Sequence, residues 1–139
     1  MIKYYEDPET CRVIGVIVEV LHDYFSHIDV SRIKCYRSRG SRSGAIARIH
    51  GLSRLWLTAL GIKPMYVIET LSENYDHLPL EDKIRVLIHE LLHIPSRFSG
   101  GLRPHGKFVN QRRVNKLFRE FKKRGGLDIV KKEIHSASS

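Results

Sequence analysis

His89 and His93 stand four residues apart in Ile88-His89-Glu90-Leu91-Leu92-His93, an H-E-x-x-H. On an α-helix that spacing puts two imidazoles one turn apart on one face, where both can ligate a single metal ion. Glu90 projects beside them and can take a proton from a water that the ion activates. A third imidazole, His105, returns after Ser99-Gly100-Gly101 and Pro104. Catalytic zinc takes three protein ligands and keeps a fourth position open. His89, His93 and His105 supply that number, so the expected chemistry is hydrolysis, with Zn2+ as cofactor and Glu90 as the catalytic base.

These residues need a rigid carrier. Leu87, Ile88, Leu91 and Leu92 give the motif an apolar body, as a site-bearing helix inside a core requires. Glu81 and Asp82 place acid at its start, where the helix dipole favours it, and Pro95 stops it. The helix is expected over residues 80–94. The next helix is expected to open near Pro104 or His105, with Phe108, Val114, Leu117, Phe118 and Phe121 as its apolar stripe. If His105 is not a ligand, Glu69, Glu73 and Glu120 are the reserves. Arg97, Arg103 and Tyr66 are the candidates for stabilising an oxyanion.

The rest of the chain reads as a mixture of helices and strands. Asp7-Pro8-Glu9 is a helix start, and Ile14, Ile17, Val18, Leu21 and Phe25 continue it at helical spacing over residues 8–26. Residues 28–37 are expected to be extended, and residues 45–50 alternate as a second strand. Residues 52–60 fit a short helix or a strand. Residues 65–70 form the clearest strand, expected to be a sheet edge that pairs with an extended substrate backbone. A loop follows to residue 80. Residues 127–134 form a further short element, and the tail, about 135–139, is expected to be frayed.

At 139 residues, with 42% hydrophobic residues, the chain is expected to form one domain, residues 1–139, with one core. Cys11 and Cys35 form no C-x-x-C, so two free thiols and a reducing cytoplasmic setting are expected. The acidic start around Glu6, Asp7 and Glu9 lacks the basic opening of a signal peptide. Residues 13–21 are too short to span a bilayer, and no membrane partner is expected.

The formal charge is +9. No acidic residue lies between Asp29 and Glu69, nor between Glu90 and Glu120, and both segments are rich in Lys and Arg. Such segments favour a polyanion, held through phosphates without base reading. The basic loop Arg37, Arg39 and Arg42 is the candidate DNA contact. Tyr36 and Trp56 are the aromatic side chains that can stack on single strands, with Trp56 expected to be mostly buried.

The order of helix, strands, motif helix, loop and returning histidine resembles a zincin peptidase domain. The chain is most similar to the SprT-like/Spartan group and to phage-type metallopeptidases, over about residues 45–120. The residues that carry this are Tyr66-Val67-Ile68-Glu69, Arg85 to His93, and Pro104-His105-Gly106-Lys107. The resemblance implies an α+β, zincin-like fold of minigluzincin type: a small, mostly antiparallel sheet packed on the motif helix, with flanking helices. It further implies zinc on His89, His93 and His105, catalysis by Glu90, and, for the SprT-like group, proteolysis of DNA-associated protein. The resemblance does not extend to the cysteine-rich C-terminal zinc module that some of that group carry.

Three functions compete at this stage. The first is a zinc-dependent endopeptidase acting on protein or peptide. The second is a basic nucleic-acid-binding protein with a structural metal site, which leaves Glu90 without a purpose. The third is a three-histidine metal-dependent nuclease, which does the same.

Overall fold

The computed structural model describes the backbone of residues 1–138 and the side chains of residues 1–136. Its elements run β1 (Lys3–Glu6), α1 (Pro8–Val20), α2 (His22–Phe25), a 3-10 turn at Val30–Arg32, β2 (Ile33–Arg39), β3 (Ala47–Gly51) and α3 (Arg54–Leu60). They continue with β4 (Tyr66–Leu71), α4 (Ser72–Tyr75), α5 (Leu80–Leu92), α6 (Gln111–Lys123) and α7 (Gly126–Ser138). The protein is α+β.

Local signals set the first helix. The Asp7 carboxylate accepts from the Thr10 backbone N–H at 3.1 Å and from the Thr10 hydroxyl at 2.7 Å. Such an N-cap satisfies a donor that the helix itself leaves open. The expected helix over 8–26 is interrupted at Leu21, and α2 follows as a separate turn. Residues 52–60, open between helix and strand, form α3: Ser53 caps it and Gly61, in the left-handed region at φ 67°, ends it.

The sheet order is β1-β2-β4-β3. β1 runs antiparallel to β2, and β3 antiparallel to β4, but β2 and β4 are parallel. The sheet is therefore mixed, where a mostly antiparallel one was expected. The physical reason lies in β4, buried at five of its six positions. A strand so buried on both faces belongs in the sheet interior. The long basic loop after β2 carries the chain past that central place, and β3 takes the outer edge. The expectation that residues 65–70 form a sheet edge is corrected by the same fact: the edge on this side is β3.

One face of the sheet carries Ile33, Cys35, Tyr66, Ile68 and Ile49, all buried in the core. α1 packs over β2 and α5 over β3; α7 then contacts α1, α6 contacts α5, and α6 and α7 contact each other. On the other face, Glu69 is only 3% exposed. Its carboxylate accepts from the Ser38 hydroxyl at 2.6 Å, lies 2.8 Å from His50 Nε2 and 3.4 Å from Arg48 Nε. Two residues of the edge strand are thus tied to the centre of the sheet.

Two further expectations are corrected. Cys11 and Cys35 are joined in a disulfide, with Cα atoms 5.6 Å apart. They are not free thiols, so cysteine usage no longer argues for a reducing cytoplasm. α1 crosses β2 and brings the two positions together, which their separation in sequence does not reveal. Trp56 is 59% exposed, because α3 turns Leu57 inward and leaves Leu55, Trp56 and Leu60 outside. The tail is helical to Ser138, and Ser139 lies outside the described residues. Among the described residues no helix is long and apolar enough to cross a membrane.

Candidate metal centre

α5 divides its residues between two surfaces. Ile84, Leu87, Ile88, Leu91 and Leu92 are buried in the core. Asp82, Val86, His89 and Glu90 line an open cleft, and His93 joins them one turn on. The helix ends at Leu92, with His93 as its C-cap, slightly before the expected boundary. Pro95 follows within three residues.

The third histidine arrives on a loop, not on a helix. α6 begins only at Gln111, so its expected opening near Pro104 or His105 is corrected. Asn110 is the reason. Its Oδ1 accepts from Arg113 N at 2.9 Å and caps α6, while its Nδ2 donates to the carbonyls of Gly106 and Lys107. One side chain thus starts the helix and holds the loop just after His105. An Asn before Gln-Arg-Arg-Val is a legible N-cap signal. Phe108, expected in the apolar stripe, is exposed on that loop beside the Arg103 guanidinium.

The rest of the loop is tethered to the sheet and to α5. The Tyr66 hydroxyl donates to Gly101 O at 3.0 Å and accepts from Gly100 N at 3.1 Å. Gly100 has φ 94°, and a Cβ there would come within 2.6 Å of Leu57. Arg103 N donates to His93 O at 2.8 Å, and its Nε donates to Leu92 O at 2.8 Å.

The result is a triangle of imidazoles. The ring centroids lie 5.1 Å apart for His89 and His93, 5.0 Å for His89 and His105, and 4.7 Å for His93 and His105. One nitrogen from each lies within 4.8 Å of the others, so the three can hold a metal ion. His89 Nε2 and His105 Nε2 are 3.0 Å apart. Tetrahedral zinc with Zn–N of about 2.0–2.1 Å separates two ligand nitrogens by about 3.3 Å, and this one pair lies near that spacing. His93 Nδ1 lies 2.7 Å from Arg103 O, which directs its Nε2 into the cluster.

The electrostatics suit the same use. Burial, then the charges of His93 and His105, hold the His89 pKa below its ordinary value. A neutral imidazole is the form that ligates metal. Glu90 is 7% exposed, and burial pushes its carboxyl up to about 7. A base with that value is poised for proton transfer near neutrality.

β3 walls the cleft. Ala47, Arg48 and Ile49 face His89, Glu90, His93 and His105 across it, and Leu102 closes one end. These β3 residues were not among the expected site residues, because an edge position shows only once strands are ordered. None of the expected oxyanion candidates stands free at the cluster. Tyr66 is spent on the glycine loop and Arg103 on the end of α5. Arg97 lines a separate groove with Arg54 and Leu57. Glu69 faces Ser38 and His50, Glu73 accepts from Gly40 N, and Glu120 pairs with Arg124, so none of the reserve ligands joins the cluster. Arg37 is paired with Asp76 at 2.7 Å, and Arg39 and Arg42 are exposed.

Residues 2–137 match the model of the family described as "Putative phage metallopeptidase". The chain belongs to that family. The family points to a metal-dependent peptidase with a protein or peptide substrate, and the three nearby histidines could bind a metal ion. No curated protein and no solved structure matches the chain.

Proposed function

We propose that the chain, as one domain, is a zinc-dependent endopeptidase in which His89, His93 and His105 hold the ion and Glu90 is the general base. The observation that supports this most is Glu90 itself, a buried carboxyl of raised pKa beside three convergent imidazoles. A structural metal site needs no such group. Zinc bound there supplies Lewis-acid polarisation of the scissile carbonyl and of a water molecule. Glu90 takes a proton from the attacking water as the new C–O bond forms, and delivers it to the nitrogen as the C–N bond breaks. β3, the free sheet edge over the cluster, can pair with an extended substrate backbone and hold the scissile bond against Glu90. Casein digestion with and without a chelator, alongside metal analysis, tests this. Digestion indifferent to the chelator would end the proposal.

A second partner is favoured by α6. Arg112, Lys116, Arg119 and Lys123 lie at i, i+4, i+7 and i+11, all exposed and, among the described residues, in no ion pair. They form one cationic stripe on a helix whose Gln111 and Val114 wall the cleft. We propose sequence-independent DNA binding along this stripe, with the exposed Arg39 and Arg42, at and just after the end of β2, as further phosphate contacts. DNA-associated protein would then be held close to the metal site.

A further inference from the structure

Beyond the histidine cluster the cleft continues as a groove of different character. It holds about 520 Å³ between the chain leading into β3, the loop before α5, α5 itself and the start of α6. Ala45, Ala47, Leu78, Val86 and Val114 give it apolar surface on each of these walls. Apart from Glu90, its charged lining residues are Asp82 and Arg85, and these are paired with each other at 2.9 Å. The Arg85 guanidinium also lies 4.1 Å from the centre of the Phe118 ring. Both charges are thus already engaged with a partner, while remaining partly exposed to solvent.

The groove is continuous with the metal centre, since His89 and Glu90 line both. Val86 precedes His89 by three residues and Glu90 by four, which on a helix places it one turn, about 5.4 Å, from the base on the cleft side. On the chain leading into the edge strand, Gly44 and the methyl groups of Ala45 and Ala47 flank the larger Ile46, so the groove stays open beside the two alanines, where larger side chains would fill it. An apolar groove of this size beside a reacting centre has the anatomy of a ligand subsite.

We propose that this groove receives the substrate side chain next to the scissile bond and selects a bulky apolar one, Leu, Met or Phe. Val86 and Val114 form its floor, and Ala45 and Ala47 its rim. This rests on the endopeptidase reading above and adds its substrate class. A charged side chain entering the groove would lose water without gaining a partner. Apolar pockets discriminate by size over roughly tenfold to a few hundredfold, and a preference of that order is expected.

Two measurements test it. In the first, the zinc-loaded full chain digests a complex peptide mixture, and mass spectrometry reads the residues flanking each cut. Leu, Met and Phe should be enriched roughly tenfold or more at one flanking position. Ala45→Phe, on the rim, should shift that position toward small residues. Val86→Lys should shift it toward Asp and Glu. In the second, zinc-loaded Glu90→Gln is titrated with fluorescent peptides that differ only in one central residue, Leu, Ala or Asp. The Leu peptide should bind about tenfold tighter, and Ala45→Phe in the same background should erase the difference. Cleavage without apolar enrichment, or enrichment that neither variant moves, overturns the subsite. Equal binding of the three peptides overturns it too. Selective binding with no cleavage by the parent leaves the subsite standing and sinks the endopeptidase reading instead.

Discussion

The backbone carbonyl of Arg103 accepts a hydrogen bond from His93 Nδ1 at 2.7 Å, while the Arg103 side chain donates to Leu92 O at the end of α5. One residue thus fixes both the tautomer of a candidate ligand and the end of the helix that carries it. Partners of this kind orient metal ligands and are worth roughly 10–100-fold in metal affinity.

The first prediction follows from that arrangement. The purified protein should hold about one zinc per chain. His93→Ala and His105→Ala should lose it. Arg103→Ala keeps the carbonyl but loses the side-chain anchor, so its zinc affinity should fall by about tenfold, the lower end of the range for such partners. Competition with a chromogenic chelator measures this. Full zinc occupancy in His105→Ala would remove that loop residue from the site.

Glu90→Gln keeps the shape of the side chain and removes its capacity to accept a proton. Zinc content should stay near one per chain, while hydrolysis falls by roughly a hundredfold or more. Unchanged cleavage would sink the proton-transfer role.

Glu69 should make the edge strand sensitive to acid. Burial pushes its pKa up, but hydrogen bonds from Ser38 and His50 and the charge of Arg48 outweigh this, and the net shift is downward. A carboxyl depressed in the folded state stabilises fully above its unfolded pKa, and that contribution is lost as pH falls through the folded value. Glu69→Gln should therefore cost on the order of 1–3 kcal/mol at pH 7. The gap between variant and parent should close as pH drops below about 4, the unfolded carboxylate range. Urea melts at several pH values would show it, and a gap independent of pH would refute the idea.

DNA binding is expected to weaken steeply with salt, because the contacts release counterions. Replacing Arg112, Lys116, Arg119 and Lys123 with Gln should flatten the salt slope by up to about one unit per lost phosphate contact. Replacing Arg39 and Arg42 should do so less, and Arg37, already paired with Asp76, should contribute least. Trp56→Ala should lower affinity for single strands if the exposed indole stacks on bases. A parent that binds no DNA at low salt would reduce the stripe to a solvated face.

What was legible in the sequence was local. The spacing of His89 and His93 acts through the geometry of one helix, and it holds in any fold that forms that helix. The Asp7-Pro8 start, the clearest strand at β4 and the acid-free segments acted over similarly short distances. His105 was legible as a third imidazole returning after a short glycine-containing loop, and the family resemblance pointed to the same residue, but local pattern cannot trace the path of that loop.

Tertiary structure alone decided the rest. It placed β4 inside the sheet and β3 at its edge, because strand order depends on which surfaces are buried by distant elements. It joined Cys11 to Cys35, exposed Trp56 and Phe108, and delayed α6 until Asn110 could cap it. It also engaged the Tyr66 hydroxyl with the glycine loop and Arg103 Nε with the end of α5, while the Arg103 carbonyl stayed against His93. Sequence spacing names the residues able to do the chemistry, but the partners that aim or occupy them come from elsewhere in the chain, and packing brings them together.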